Sequence, residues 1–545
     1  MMERMRHDAD THSVPSGRVG NARALLRALA AGLAVPAAVA AAPQVFPRAL
    51  AARIQHVVVL YTENRSFDSI YGRFPGANGL SQAPAGAVRQ TDARGAPLPC
   101  LPQAFLTDST IPDRRFPPAA AADRFGRSFA DLAAPPPFAA SLANGYYDAD
   151  RFAAMDSVSG DLVHRFYTEQ YQINRVPDPR NVGGAPMSKF VAWSNNPGLV
   201  MGVYDMSRQG EGRLGARFVM CDNAFHSAFG GSFLNHFWLV SARTPVWPRF
   251  RGDRPGAART PLGPDGFPAI RDGVLQDREL TDDPKLEPFP DSNAARSLGK
   301  GDCWAVNTLQ PLRGPADAGE ASRLPLQDFD TIGDRLSAAG VSWAWFSGGW
   351  NDAKAGRADP LFQWHHQPFA YFRRYALKRA PVEERSGLPA APGEDSPGSA
   401  AHLRDERDFR EALASGALPQ VSFVKPLGES SGHPGQSSIL SEQRWVAETV
   451  AAIERSRYWG GVAIFITPDE NGGLWDHVPP PVLDTWGPGT RVPLVIVSPF
   501  ARRGLVDHTP YETVSILRFI ELRWLLPALN RRDAAAAAPL DAFAD

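Results

Sequence analysis

Ile54-Gln55-His56-Val57-Val58-Val59-Leu60-Tyr61, followed at once by Thr62-Glu63-Asn64-Arg65, decides the reading of this 545-residue chain. A β-branched, apolar run this short and without alternation fits a strand buried on both faces, as in parallel sheets covered by helices on either side. Similar runs recur at Arg217–Met220, Val341–Phe346, Val421–Val424, Val462–Thr467 and Val492–Ser498, and helical spacing is read over Asp161–Tyr171 and Tyr511–Leu526. Strands spread over the whole length, with helices and loops between, predict one large α/β domain around a central, mostly parallel sheet. Residues 80–140, 250–325 and 378–400 are Gly-, Pro- or polar-rich and weakly periodic, so they read as long loop insertions.

The bulk numbers narrow the function classes. With 43% hydrophobic and 21% charged residues the composition is that of a soluble globular protein. A formal net charge of -1 gives no electrostatic case for nucleic acid or an anionic membrane as the main partner. Arg23 and Arg27 precede the apolar run Ala28–Ala42, which predicts a secretory signal peptide over residues 1–42 and a periplasmic or secreted catalytic domain over 43–545. The run is too short for a stable membrane anchor. In an oxidising compartment Cys100 and Cys303 could pair, whereas Cys221 follows a strand-like run and reads as a buried thiol.

Polar clusters stand directly after the strand-like runs, where open α/β sheets place their ligands. Glu63-Asn64 follows the first and Asp469-Glu470-Asn471 follows Val462–Thr467; hard carboxylate and amide oxygens suit a divalent cation. Either cluster alone could be a capped turn, since Asn and Asp favour turns and Gly472-Gly473 marks one. Gly230-Gly231-Ser232 presents a candidate nucleophile, with glycines that let a hydroxyl approach a ligand and a helix opening behind it. A serine that merely caps that helix is the alternative. His164, His365-His366 and His433 are candidate phosphate ligands or acid–base groups. Asp476-His477 is ambiguous, and His508 reads as part of a turn before the last helix.

Ile54–Gly72 (IQHVVVLYTENRSFDSIYG) closely resembles the opening motif of the bacterial phosphoesterase family, which holds non-haemolytic phospholipases C and an acid phosphatase branch. The likeness recurs at Asp161–Asn174, Cys221–His236, Phe362–Phe372, Ser431–Gln436 and Ile466–Pro481. It implies an alkaline-phosphatase-like fold, with Glu63, Asn64, Asp469 and Glu470 holding a metal beside the Ser232 hydroxyl. His164, His366 and His433 would then bind phosphate or move protons, with His365 close by. Superfamily members often hold two metals through Asp and His; Asn64 and the Asp-Glu pair depart from that, so one divalent metal ion is expected.

Within the family, the phospholipase C branch is expected to carry a Thr-Trp-Pro-Asn-Arg type word where this chain has Ser232-Phe233-Leu234-Asn235-His236, and a long C-terminal extension. Both differences, with the His365-His366 word, point to a secreted acid phosphatase acting on phosphate monoesters. The alternative is a phospholipase C whose choline pocket would need an aromatic cage; Trp343, Trp345 and Trp350 are its candidates, with core packing the competing role. A binding protein without turnover and a sulfatase fit less well, the first because nucleophile, carboxylates and histidines are all present.

Overall fold

The computed structural model describes residues 44–92, 94–107, 111–117, 141–174, 185–245, 326–377, 395–484 and 486–544, together with two dipeptide strands at 270–271 and 274–275. The expected signal peptide, Cys303 and most of the 250–325 insertion lie outside the described residues.

In chain order the sheet strands are β1 (His56–Thr62), β2 (Val219–Phe225), β3 (Trp343–Ser347), β4 (Leu403–Asp405), β5 (Val421–Lys425), β6 (Val462–Pro468), β7 (Arg491–Val497), β8 (Leu505–Asp507) and β9 (Tyr511–Glu512). Their order across the sheet is β8-β2-β7-β6-β1-β5-β3-β4, and β9 pairs further along β2 where β8 leaves off. Only β7 runs antiparallel to its neighbours. The fold is therefore α/β with a large, mostly parallel sheet.

β1 lies near the middle and is buried from Val57 to Thr62. Successive residues of a strand face opposite ways, which shows how both faces are covered. The Tyr61 hydroxyl donates to the Asn235 carbonyl (3.1 Å) on the helix Ser232–Ser241, whereas Thr62 hydrogen-bonds Glu442 on the helix Ile439–Arg455. With α1 (Phe67–Tyr71), α2 (Phe166–Gln172) and α3 (Gly210–Arg217) named first, these are α4 and α5, and α6 is Thr513–Trp524.

Three boundaries differ from the sequence reading, each because tertiary partners claim backbone groups. α2 begins at Phe166 rather than Asp161, since residues before it are held extended; the Val163 N–H, for example, donates to Asn195 Oδ1 (2.7 Å). β2 starts two residues later than expected and continues through Cys221–Phe225, because β7 pairs with it as far as Phe225. α6 starts at Thr513, as Tyr511-Glu512 is taken up as β9. The 17-residue α5 is not anticipated at all, although its Ser438 cap and buried Trp445, Val446, Val450 and Ile453 carry a helical signal.

Candidate active site

Strand register brings the first two acidic clusters together. β1 and β6 pair in parallel with Thr62 opposite Pro468, so the chain leaves both strands side by side and delivers Glu63-Asn64 next to Asp469-Glu470. The Asn64 N–H donates to Asp469 Oδ1 (3.3 Å), and Arg65 N–H to the Glu470 carbonyl (2.9 Å). Asn64 makes this turn with φ at 52°, a left-handed conformation that Asn tolerates better than most residues. β5 ends on the same side: Val424 pairs with Leu60, which sets Lys425 beside Tyr61.

The serine arrives from the loop after β2. Gly230 has φ at 91°, and a Cβ there would lie 2.5 Å from the Phe166 backbone nitrogen, so the position demands glycine. Glu169 of α2 accepts the Gly230 N–H (2.6 Å), and the Asn235 side chain amide donates to the carbonyls of Ala228, Gly230 and Gly231. Gly231 is the N-cap of α4 and no side chain caps the helix; Ser232 is its first residue. The capping role is thereby set aside. The Ser232 hydroxyl donates to Asn64 Oδ1 (3.4 Å) and stands beside Asp469, whose carboxylate it helps to stabilise, at a helix N-terminus whose dipole favours an anion.

Histidines close the site from two sides. His366 Nε2 lies 2.5 Å from Glu63 Oε1, and its ring stacks on His236 (5.3 Å between centroids), with His365 edge-on to both. Across from them His164 and His433 meet edge to face at 5.8 Å. His164 Nε2 is 3.2 Å from Asn64 Nδ2 and 3.6 Å from Glu470 Oε1, and His433 Nε2 is 3.8 Å from Glu63 Oε2. Glu63, Ser232, His164, His365, His366 and His433 all line one cavity of about 240 Å³. Asn64, Asp469 and Glu470 sit directly against that set.

Charge is crowded here. Burial, with the neighbouring Glu63 charge, pushes the Asp469 carboxyl up to about 6. Burial and the Asp469 charge lift Glu470 well above the usual carboxylate range. Burial acts on Glu63 too, but Lys425 and His366 outweigh it and hold Glu63 well below that range. Burial lowers His164, His365 and His366, whereas at His433 the charges of Asp161 and Glu63 overcome burial and raise it. The donor set fits a divalent cation: Asp469 Oδ2 and Glu470 Oε1 are buried without a hydrogen-bond donor, beside a neutral amide oxygen.

Sequence reading missed Lys425, His236, Glu169 and Asn235. The last three lie inside stretches already singled out, whereas Lys425 only ends an apolar strand and carries no local signal. The three candidate cage tryptophans, at 0–2% exposure, belong to the core; the Trp345 indole N–H donates to the His366 carbonyl (2.6 Å) and so positions that histidine.

A phosphoesterase family model matches residues 54–527, nearly the whole described chain. This protein belongs to the phosphoesterase family. Among curated proteins, the phosphoesterase is 26% identical over 231 residues to a non-hemolytic phospholipase C of Pseudomonas aeruginosa, covering 36% of this chain and 29% of that one. It is 25% identical over 243 residues to phospholipase C A of Mycobacterium tuberculosis, covering 39% and 42% respectively. The matches thus span less than half the length of these relatives. Among solved structures, a protein in the alkaline phosphatase superfamily from Vibrio parahaemolyticus aligns at 11% identity and a TM-score of 0.24, over 42% of this chain and 54% of that one. A superposition this loose leaves the phosphoesterase fold to be read from the strand order itself.

Proposed function

We propose that the protein is a phosphate-ester hydrolase that uses Ser232 as nucleophile, with Glu63, Asn64, Asp469 and Glu470 holding one divalent metal ion. The observation that carries this reading is the Ser232 hydroxyl, at the start of α4, touching Asn64 and Asp469 in a cavity walled by four histidines. A divalent cation bound there lowers the serine pKa and offsets phosphoryl charge. The protein's own groups supply the rest. Asp469 and Asn64 orient the hydroxyl, and the α4 N-terminus favours the phosphoryl oxygens. His164, His365, His366 and His433 bind phosphate and carry protons to the leaving alkoxide and from water. Attack by Oγ on phosphorus breaks the ester bond and leaves a phosphoserine, which water then hydrolyses to free phosphate.

The finer reading is a secreted acid phosphatase. Among the described lining residues the cavity offers carboxylates, amides and histidines but no Trp, Tyr or Phe, which suits a monoester better than a choline headgroup. Imidazoles that burial holds low gain positive charge only as pH falls, which supports an acidic optimum. Export is supported by the basic-then-apolar start of the chain, and among the described residues no helix is long and apolar enough to cross a membrane. The second reading, a phospholipase C, is favoured by the names of the curated relatives.

Ser232→Ala is expected to cut hydrolysis of p-nitrophenyl phosphate by at least about 10³-fold with an unchanged circular dichroism spectrum; retained activity overturns the nucleophile. Faster turnover of p-nitrophenyl phosphorylcholine than of p-nitrophenyl phosphate would replace the monoesterase with the phospholipase.

A further inference from the structure

Lys425 ends β5 with its ammonium wholly buried among acids. Its Nζ lies 2.7 Å from Glu63 Oε1 and 3.9 Å from Asp469 Oδ2, donates to the Thr62 carbonyl (3.0 Å), and stands 5.2 Å from the centre of the Tyr61 ring. Strand register holds it there, because Lys425 extends the β5–β1 pairing that places Val424 opposite Leu60. A buried ammonium is costly unless it is paired. Here it is paired with the carboxylate that also faces His366.

The charges explain why such a group is kept. Glu63, Asp469 and Glu470 bring three negative charges when ionised, and Lys425 returns one, which leaves the balance that a single divalent cation neutralises. Next to Lys425 stands a second set of ligand atoms. Glu63, His236 and His366 offer donors within 4.8 Å of one another, all buried; His236 Nε2 has no hydrogen-bond partner, and His366 Nε2 faces the Glu63 carboxylate. These three atoms stand close enough together to share an ion, but the carboxylate already carries the Lys425 ammonium.

We propose that Lys425 is a built-in cation that holds Glu63 in place and keeps Glu63, His236 and His366 from taking a second divalent ion, so the centre holds one metal. The inference rests on the metal reading above and goes beyond it by assigning the residue that sets stoichiometry. At a short distance in a buried site, the repulsion between an ammonium and a divalent ion is large enough to decide occupancy.

The test uses the full chain loaded with Mn²⁺ alone, with bound metal measured by elemental analysis after gel filtration and by electron paramagnetic resonance. The wild type is expected to hold one Mn²⁺ per chain with the spectrum of an isolated ion. Lys425→Met is expected to hold two, with the spectrum of a spin-coupled pair, and to bind the first about tenfold more tightly or better. Lys425→Gln, which keeps a donor toward Glu63, carries the same expectation if the methionine variant fails to fold. Two Mn²⁺ in the wild type, or one with unchanged affinity in a folded Lys425 variant, overturns this proposal and leaves the metal reading standing. A wild type that binds no Mn²⁺ overturns both.

Discussion

Two acid–histidine clusters stand on the same loops and have opposite characters. Asp68, Asp476 and His477 lie close enough to hold an ion, as do the residues around Glu63. In the first cluster every demand is met within the protein. Arg491 donates Nε to Asp476 (3.0 Å), Nη2 to Asp68 (2.9 Å) and Nη1 to the Asn78 and Asp222 carbonyls. Asp68 also accepts the His477 N–H (2.8 Å), and Asp476 accepts from the backbone of Asp68 and Val478. In the second cluster Asp469 Oδ2 and Glu470 Oε1 have no donor. Proximity of acids and histidine alone therefore does not distinguish the two clusters; the unmet acceptors beside the cavity do. The Arg491 network is a clamp that ties the turn after β6 to the start of α1.

Breaking the clamp is expected to produce the largest effect on stability. Arg491→Met leaves Asp68 and Asp476 buried without their counter-ion and should cost about 3–5 kcal/mol in denaturant unfolding. Asp469→Asn in metal-free protein should instead be neutral or stabilising, because it removes one of several crowded negative charges. Equal losses in the two variants would erase the distinction. Next in size is metal itself: adding divalent ion at about a hundred times its dissociation constant should stabilise the wild type by about 2.7 kcal/mol, and chelator should reverse it. No shift in melting temperature would mean the unmet acceptors are not a cation site.

Glu169 sharpens the comparison, since it is fully satisfied yet reaches the active loop. It accepts the Thr490 N–H (2.6 Å), the Thr490 hydroxyl (2.7 Å) and the Gly230 N–H (2.6 Å), with His226 Nε2 2.9 Å away. Glu169→Gln is expected to lower kcat about 10–100-fold with KM little changed, the signature of a positioning residue. A raised KM with kcat unchanged would place it in substrate binding instead.

The smallest expected effect per unit concerns a buried acid that finds a proton rather than a metal. Glu521 on α6 is pushed up from 4.5 to about 9, chiefly by burial and then by Asp533. The folded state then holds a proton that the unfolded chain releases, so this group's contribution to stability is lost as pH rises from 4.5 toward 9. The slope is at most about 1.4 kcal/mol per pH unit. Glu521→Gln should flatten it and leave the protein relatively more stable at pH 8 than at pH 5, as followed by thermal melts. A slope unchanged by the substitution would show that Glu521 is ionised in the fold.

Much of the fold is legible in the chain itself, because strands buried on both faces must be continuous apolar runs, and β1, β3, β5, β6 and β7 all are. The ends of elements are less legible: α2 and α6 begin where tertiary partners release the backbone, a fact no local pattern holds. Of the candidate site, the nucleophile loop, the Glu63-Asn64 and Asp469-Glu470 pairs and all four histidines stand out in the chain, since glycine beside serine and acid after strand are local signals.

By itself the sequence determined six of the nine sheet strands, the α/β class and the residue types available for phosphoryl chemistry, all consequences of short-range pattern and composition; the short β4, β8 and β9 carry no such pattern. Only the tertiary structure decided which acids are spent on a clamp and which stay unmet, that the three tryptophans belong to the core, and that Lys425 stands against Glu63. The physical reason is that hydrogen-bond and charge satisfaction is a property of neighbours hundreds of residues apart, brought together here by the register of β1 with β5 and β6.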